Sequence, residues 1–376
     1  MKYDMAFPYF HEKDIDLILA EFRSILSGQG MLTMGKNVQA FENEFAAYVG
    51  AKYAVATNSC TSALEISLKA IGIEKGDEVI VPVQTFIATG SSVIVAGGSV
   101  VFCDTDDNFL ISIEDLKKKI TAKTKAVIII HFAGLIHPDM MELKTYLKKK
   151  GIFLIEDAAH APGAKIGNHF AGTFGDIGCF SFFSTKIMTT GEGGMIVTNN
   201  KDLFEICSSL RNRGLDISAG YEIFTRIGSN RRMTEFQAIL GRAQLKRLDQ
   251  FIAHRNNIAK IYREELMPLV KKRIVSFQEY SQDIRHSYWR FVAFLNKAKV
   301  TPAQVQKTAA DAGIKIDFPY SPLLPWQPAF KDVRKKHNSF PRAEALSKKH
   351  FCMPIHMLIT EKDARHIGKI IREAIK

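Results

Sequence analysis

Two short stretches of the chain carry residues whose types and neighbours suit covalent chemistry. The first is Phe180-Ser181-Phe182-Phe183-Ser184-Thr185-Lys186-Ile187-Met188-Thr189-Thr190-Gly191-Glu192-Gly193-Gly194, where one lysine stands between an apolar run and a glycine-rich turn. Desolvation there disfavours the ammonium form and lowers the pKa. A lysine that gives up its proton readily is what Schiff-base formation with a carbonyl requires. The second stretch is Ile155-Glu156-Asp157-Ala158-Ala159-His160-Ala161. A strand ending in carboxylates has two explanations. Asp157 caps a helix or pairs with an arginine, or it keeps a pyridinium nitrogen protonated so that the ring acts as an electron sink. Taken alone, the stretch leaves both open.

The elements around these residues read as an α/β layer with a mainly parallel sheet. Strand-like runs fall at 54–56, 78–82, 100–104, 126–131, 153–157, 179–182 and 194–198, and helical spacing at 14–26, 38–49 and 63–71. Between strand 54–56 and helix 63–71 lies Thr57-Asn58-Ser59-Cys60-Thr61-Ser62, a small polar turn that would offer backbone N–H groups to a phosphate. In open α/β sheets, functional groups gather at the carboxyl ends of strands, where Asp157, His160 and Ser181 fall. A long helical pattern over 234–266 would connect to a second unit and supply a dimer surface. A chain of 376 residues exceeds one ordinary core. The expected division is a large domain over 1–250 and a smaller α+β domain over 251–376.

Bulk properties exclude several classes. Hydrophobic residues make up 46% and charged residues 24%, which leaves no room for a disordered chain. No run of eighteen apolar residues suggests a membrane span, and Met1-Lys2-Tyr3-Asp4 leads into no apolar signal core, so a cytoplasmic protein is expected. The cysteines (Cys60, Cys103, Cys179, Cys207, Cys352) are odd in number and form no CxxC pair, so free thiols are expected and no metal site. The net charge of +12 includes clusters at 117–119, 148–150, 271–273 and Lys335-Lys336. Most alternate with apolar residues at helical spacing, which reads as solvated helix faces and not as a nucleic-acid surface. Such a field would also help gather a phosphorylated cofactor and an anionic substrate.

Together the two stretches resemble the DegT-type sugar aminotransferase family. The resemblance runs over almost the whole chain: the phosphate turn through Thr61-Ser62-Ala63-Leu64, Gly76-Asp77-Glu78-Val79, Thr85-Phe86-Ile87-Ala88-Thr89, Leu210-Arg211-Asn212-Arg213-Gly214, Asn230-Arg231-Arg232-Met233-Thr234-Glu235 and Pro354-Ile355-His356. It implies a fold type I pyridoxal-phosphate transferase that moves an amino group, usually from L-glutamate, to a keto-sugar, mostly nucleotide-linked. Cell-surface polysaccharide or amino-sugar biosynthesis would be its setting. It further implies that Lys186 carries the cofactor and shuttles the proton, and that Asp157 holds the ring nitrogen. His160 would lie near the phenolic oxygen, Phe86 on the ring face, and Thr61, Ser62 and Ser181 at the phosphate. Asn230 would reach the phosphate of a neighbouring subunit's cofactor, so that complete sites need a homodimer. Substrate-side candidates are Thr33, Gln84, Arg231, His286 and Tyr320.

Three positions depart from the pattern. Cys60 stands where glycine is frequent, Phe183 where histidine is frequent, and Ser229 where an aromatic residue is common. A positive φ at position 60 would be awkward for cysteine. A dehydratase of the same fold that uses pyridoxamine phosphate would have histidine at position 186, and a non-catalytic regulatory relative would show damage to the lysine–aspartate pair. This chain shows neither.

Overall fold

Short runs of Val, Ile and Ala bounded by polar turns become the strands of one sheet in the computed structural model, which describes residues 2–216, 222–333 and 339–376. Lys335-Lys336 lie outside the described residues. In chain order the first half contains α1 (Glu12–Ser24), α2 (Lys36–Val49), β1 (Tyr53–Thr57), α3 (Cys60–Ala70), β2 (Glu78–Pro82), α4 (Ile87–Val95), β3 (Ser99–Cys103), α5 (Ile113–Lys119), β4 (Thr124–Ile130), α6 (Met140–Lys149) and β5 (Phe153–Asp157). A small hairpin, β6 (Lys165–Ile166) and β7 (His169–Phe170), precedes β8 (Ile177–Ser181), β9 (Gly194–Thr198) and α7 (Lys201–Arg211). The remainder is α8 (Glu235–Lys271), β10 (Val275–Phe277), β11 (Ile284–Arg285), β12 (Phe291–Leu295), α9 (Pro302–Asp311), α10 (Pro341–Ser347), β13 (His350–Met353) and α11 (Glu361–Ile375).

The main sheet has seven strands in the order β1-β9-β8-β5-β4-β2-β3. All pairings are parallel except those of β9, which runs against both β1 and β8. Both faces are covered, and β8 and β9 are buried along their whole length, so these strands read as unbroken apolar runs without alternation. One face packs on Phe41, Phe45 and Leu248, the other on Leu64, Leu203 and Phe330. The carboxyl ends of β1, β5 and β8 and the start of β9 therefore meet at one edge.

A separate core surrounds the antiparallel sheet β10-β12-β13 and includes Tyr262, Leu266, Phe291, Phe351 and Ile367. Helix α8 joins the two: Ile252 belongs to the first core and Ile258 to the second. Chain order and packing part company in several places. Trp289, Leu323, Phe330 and Phe340 return to the main sheet, and Tyr3 packs into the smaller core.

The start of α8 also fixes α2. Thr234 and Gln237 form a capping box, and the next residue, Glu235, is almost fully buried. Its carboxylate accepts from the amides of Gly35 (2.9 Å), Asn37 (2.8 Å) and Val38 (3.0 Å), the opening N–H groups of α2, which no helical carbonyl can reach. A Cβ on Gly35 would lie 2.9 Å from the Glu235 carboxyl carbon, so only glycine lets the backbone come this close. Glu235→Ala leaves these amides without an acceptor in a dry site. It should cost about 2–4 kcal/mol and lower the melting temperature by several degrees; an unchanged melting curve would show that the clamp is idle.

Candidate active site

Where the strand ends meet, they surround a cavity of about 390 Å³ walled by Ser59, Cys60 and Thr61 on one side and by Asp157, His160, Ser181, Lys186, Trp289 and Tyr320 on the others. Lys186 sits in the turn between β8 and β9, its amide bonded to the Phe183 carbonyl at 2.9 Å and its Nζ 4.6 Å over the Trp289 ring. Burial pushes its pKa down to about 8, a fall that the charge of Asp157 resists and that of Arg290 assists. Asp157, at the end of β5, accepts from Thr89 Oγ1 at 2.8 Å and from the Ala159 amide at 3.2 Å. Thr89 is itself held by Thr85 at 2.6 Å. Burial still raises the Asp157 pKa, because these two hydrogen bonds and the Lys186 charge only partly offset the loss of water. The arrangement is an amine ready to act as a nucleophile, in one cavity with a carboxylate that would gain from one more cationic donor.

The anion-binding end is made of backbone. Ser59 caps α3, its Oγ accepting from the Ser62 amide at 3.1 Å while its carbonyl accepts from Ala63 at 3.1 Å. That leaves the amides of Cys60 and Thr61 at the positive end of an eleven-residue helix. A Cβ on Gly194 would lie 2.5 Å from the Ser59 carbonyl, so the glycine turn after Lys186 and the phosphate turn can touch only because this residue has no side chain. Cys60 is the first residue of α3 and is not among the residues with positive φ, so the backbone difficulty foreseen for it does not arise. Phe86 caps the start of α4 and is 53% exposed at the cavity mouth, with Phe183 (42%) also on the wall. No group of three His, Cys, Asp or Glu side chains able to hold a metal ion occurs among the described residues.

Of the residues singled out from the sequence, Thr61, Phe86, Asp157, His160, Ser181, Lys186 and Tyr320 line this cavity. Five do not. Ser62 spends its amide and hydroxyl on the Ser59 cap, and it is Ser59 that faces the cavity. Gln84 is buried and donates to the Pro319 carbonyl at 2.8 Å. Thr33 donates to the Met233 carbonyl at 3.1 Å, and Arg231 pairs with Glu65. His286 lies in the interior, stacked on Tyr288 at 3.9 Å and accepting its amide at 2.8 Å. Asn230 is exposed beside Asn212, away from this chain's own cavity. Trp289 and Thr89 were not anticipated. Trp289 stands more than a hundred residues beyond Lys186, and its only signal is an aromatic pair before a strand. Thr89 belongs to a recognised stretch, but nothing in the sequence says that it touches Asp157.

A half-buried lysine with a lowered pKa, a buried carboxylate in the same cavity and a helix-end anion site on this sheet define a fold type I enzyme built for pyridoxal phosphate. The chain belongs to the DegT/DnrJ/EryC1/StrS aminotransferase family, whose pattern matches residues 13–372. It is 36% identical to the GDP-perosamine synthase of Escherichia coli over 341 residues, covering 90% of each chain. A second relative is the UDP-N-acetyl-3-dehydro-alpha-D-glucosamine 3-aminotransferase of Acidithiobacillus ferrooxidans, 34% identical with 96% of this chain and 94% of that protein covered. Among solved structures, an aminotransferase from Psychrobacter cryohalolentis superposes with a TM-score of 0.91 at 31% identity, over 99% of this chain and 98% of the other.

The residues present fit the cofactor. Asp157 suits a pyridinium N–H, the amides of Cys60 and Thr61 with Ser181 suit the phosphate, and Lys186 suits the aldehyde. The sign of the Lys186 shift can be tested directly. Below pH 8 the amine is protonated and inert; above it, the free base predominates. The rate at which cofactor-free protein takes up added pyridoxal phosphate should rise with pH with a midpoint near 8, whereas a midpoint near the ordinary 10.5 would mean that burial leaves this amine unaltered.

Proposed function

We propose that this enzyme transfers an amino group from L-glutamate to a nucleotide-linked keto-sugar, in the making of amino sugars for cell-surface polysaccharide. The observation that carries the reading is Lys186 and Asp157 lining one cavity together with the start of α3. Both named relatives carry nucleotide sugars in their names, one linked to GDP and one to UDP. The bound cofactor supplies an electron-withdrawing ring. Asp157, braced by Thr89, would hold that ring by its nitrogen. Lys186, whose pKa is lowered so that its free base is available near pH 8, takes the proton from the carbon bearing the amino group and returns it on the other side of the exchange. Phe86 and Phe183 at the mouth keep water from the reacting atoms once a sugar covers them. The net charge of +12 favours arrival of a diphosphate-linked substrate.

A homodimer is part of the same reading. Leu17, Leu26, Met31, Leu32 and Ile227 are all more than half exposed, a density of apolar surface suited to a partner copy. Asn230 follows closely on Ile227, and we assign it to the partner's phosphate site. A cytoplasmic location accords with cysteines that are all free, four of them buried. No helix among the described residues is long and apolar enough to cross a membrane.

The purified protein should be yellow, change colour on addition of glutamate, and replace oxygen by nitrogen in a nucleoside-diphosphate keto-sugar followed by mass spectrometry. Lys186→Ala should abolish both the colour and the exchange; turnover surviving in that variant would end the reading. Site sharing has its own test. Lys186→Ala and Asn230→Ala proteins, each inactive alone, should regain about a quarter of wild-type activity when unfolded and refolded together, because half the dimers then hold one intact site. No recovery would place Asn230 outside the partner's site.

A further inference from the structure

The hydroxyl of Tyr320 has one partner among the described residues, Nε2 of His160 at 2.7 Å. Which of the two donates decides what Tyr320 is free to do. His160 is buried, and burial, with the charges of Lys186 and Arg290 adding to it, holds the ring neutral. A neutral imidazole carries one proton and one bare nitrogen. Its other nitrogen, Nδ1, is shut away without a partner among the described residues. A buried N–H with no acceptor is the rarer and costlier orphan, compared with an unused lone pair. The proton therefore resides on Nε2 and is donated to the Tyr320 oxygen. The phenol's own hydrogen is left unspent, and burial keeps it on the oxygen by raising the Tyr320 pKa well above its usual value.

The surroundings fix where that hydrogen can be used. Tyr320 lies within 7° of the His160 plane, and His160 stacks on Trp289 at 3.7 Å and 9°, so the three rings form one rigid group. Tyr320 has a φ of +62°, a conformation that a bulky residue adopts only when its neighbours hold it there. It lines the same cavity as Lys186 and Asp157. We infer, on the aminotransferase reading given above, that Tyr320 donates a hydrogen bond from its hydroxyl to a carbonyl or anionic oxygen of the molecule bound in the cavity, and that His160 is the positioning residue that aims it. Tyr320 is then a catalytic residue with a defined polarity, and His160 acts through it.

Full-length protein labelled with ¹⁵N-histidine and loaded with pyridoxal phosphate reads the polarity directly, the His160 signals being those lost in His160→Gln. Nε2 should be protonated and Nδ1 bare. The reverse assignment would overturn the inference, since Tyr320 would be giving its hydrogen to the ring. The functional arm uses variants that keep the cofactor's visible band. Tyr320→Phe should lower kcat/KM about tenfold or more, as expected for a hydrogen bond to a charged oxygen. His160→Gln, whose amide also donates, should stay within about threefold of wild type. His160→Leu should fall as far as Tyr320→Phe, and the Tyr320→Phe/His160→Leu pair should fall no further. Full activity in His160→Leu, or additive losses in the pair, would refute the coupling. Failure of the aminotransferase reading would look different: the wild-type band would not respond to glutamate.

Discussion

Removal of water acts on Lys186 and Asp157 with opposite results for their pKa values and one result for their charge: each is pressed toward its neutral form. The site depends on that pressure. A fully hydrated lysine would stay protonated and could not attack a carbonyl, and a fully hydrated aspartate would have little need of a ring nitrogen's proton. The opposed charges hold the pressure in check, and so do Thr89 and the Ala159 amide, which give Asp157 enough support to remain a usable acceptor. A phosphate brings charge of its own into this dry space. The chain meets it with backbone amides at the start of α3, which carry partial charge and do not titrate, so the ligand's charge is answered without adding another ionisable group beside Lys186.

The scaffold follows from the same requirement. Parallel strands buried on both faces bring their carboxyl ends to one edge, so Asp157 and Ser181 arrive there as the last residues of neighbouring strands, paired in register through Ile155–Ile177 and Asp157–Cys179. Trp289, late in the chain, packs into the main core and donates from its indole to the Thr185 carbonyl at 3.2 Å. The wall beneath Lys186 is thus supplied by the part of the chain beyond α8.

Much of this was legible in the chain's order of residues. Lys186 and Asp157 stand in short stretches whose apolar run and small or glycine-rich flanks each signal a strand end, and local pattern suffices to place such residues on a parallel sheet. The phosphate turn was legible as a turn, but its facing residue was not. Whether Ser59 or Ser62 looks into the cavity depends on which one caps the helix, and helix boundaries shift easily by a residue or two. The substrate-side candidates fared differently. Of Thr33, Gln84, Arg231, His286 and Tyr320, only Tyr320 reaches the cavity. These residues lie in loops whose side chains are claimed by distant partners, such as Met233 for Thr33 and Pro319 for Gln84, and no sequence period encodes such a claim.

The turn that carries Lys186 is closed at both ends by strands that pair with each other. Beyond the β8–β9 ladder, the Phe182 amide donates to the Gly193 carbonyl at 2.9 Å and the Thr190 amide to Phe182 at 2.9 Å. A loop sewn shut in this way has no slack. Extra residues would have to bulge into the cavity or unzip two central strands, while the loops around Thr33 and Tyr320 lie outside that ladder. New sugar preferences in such a scaffold should therefore arise from lengthening and recolouring the outer loops, with the stretch from Ser181 to Gly194 keeping its length throughout.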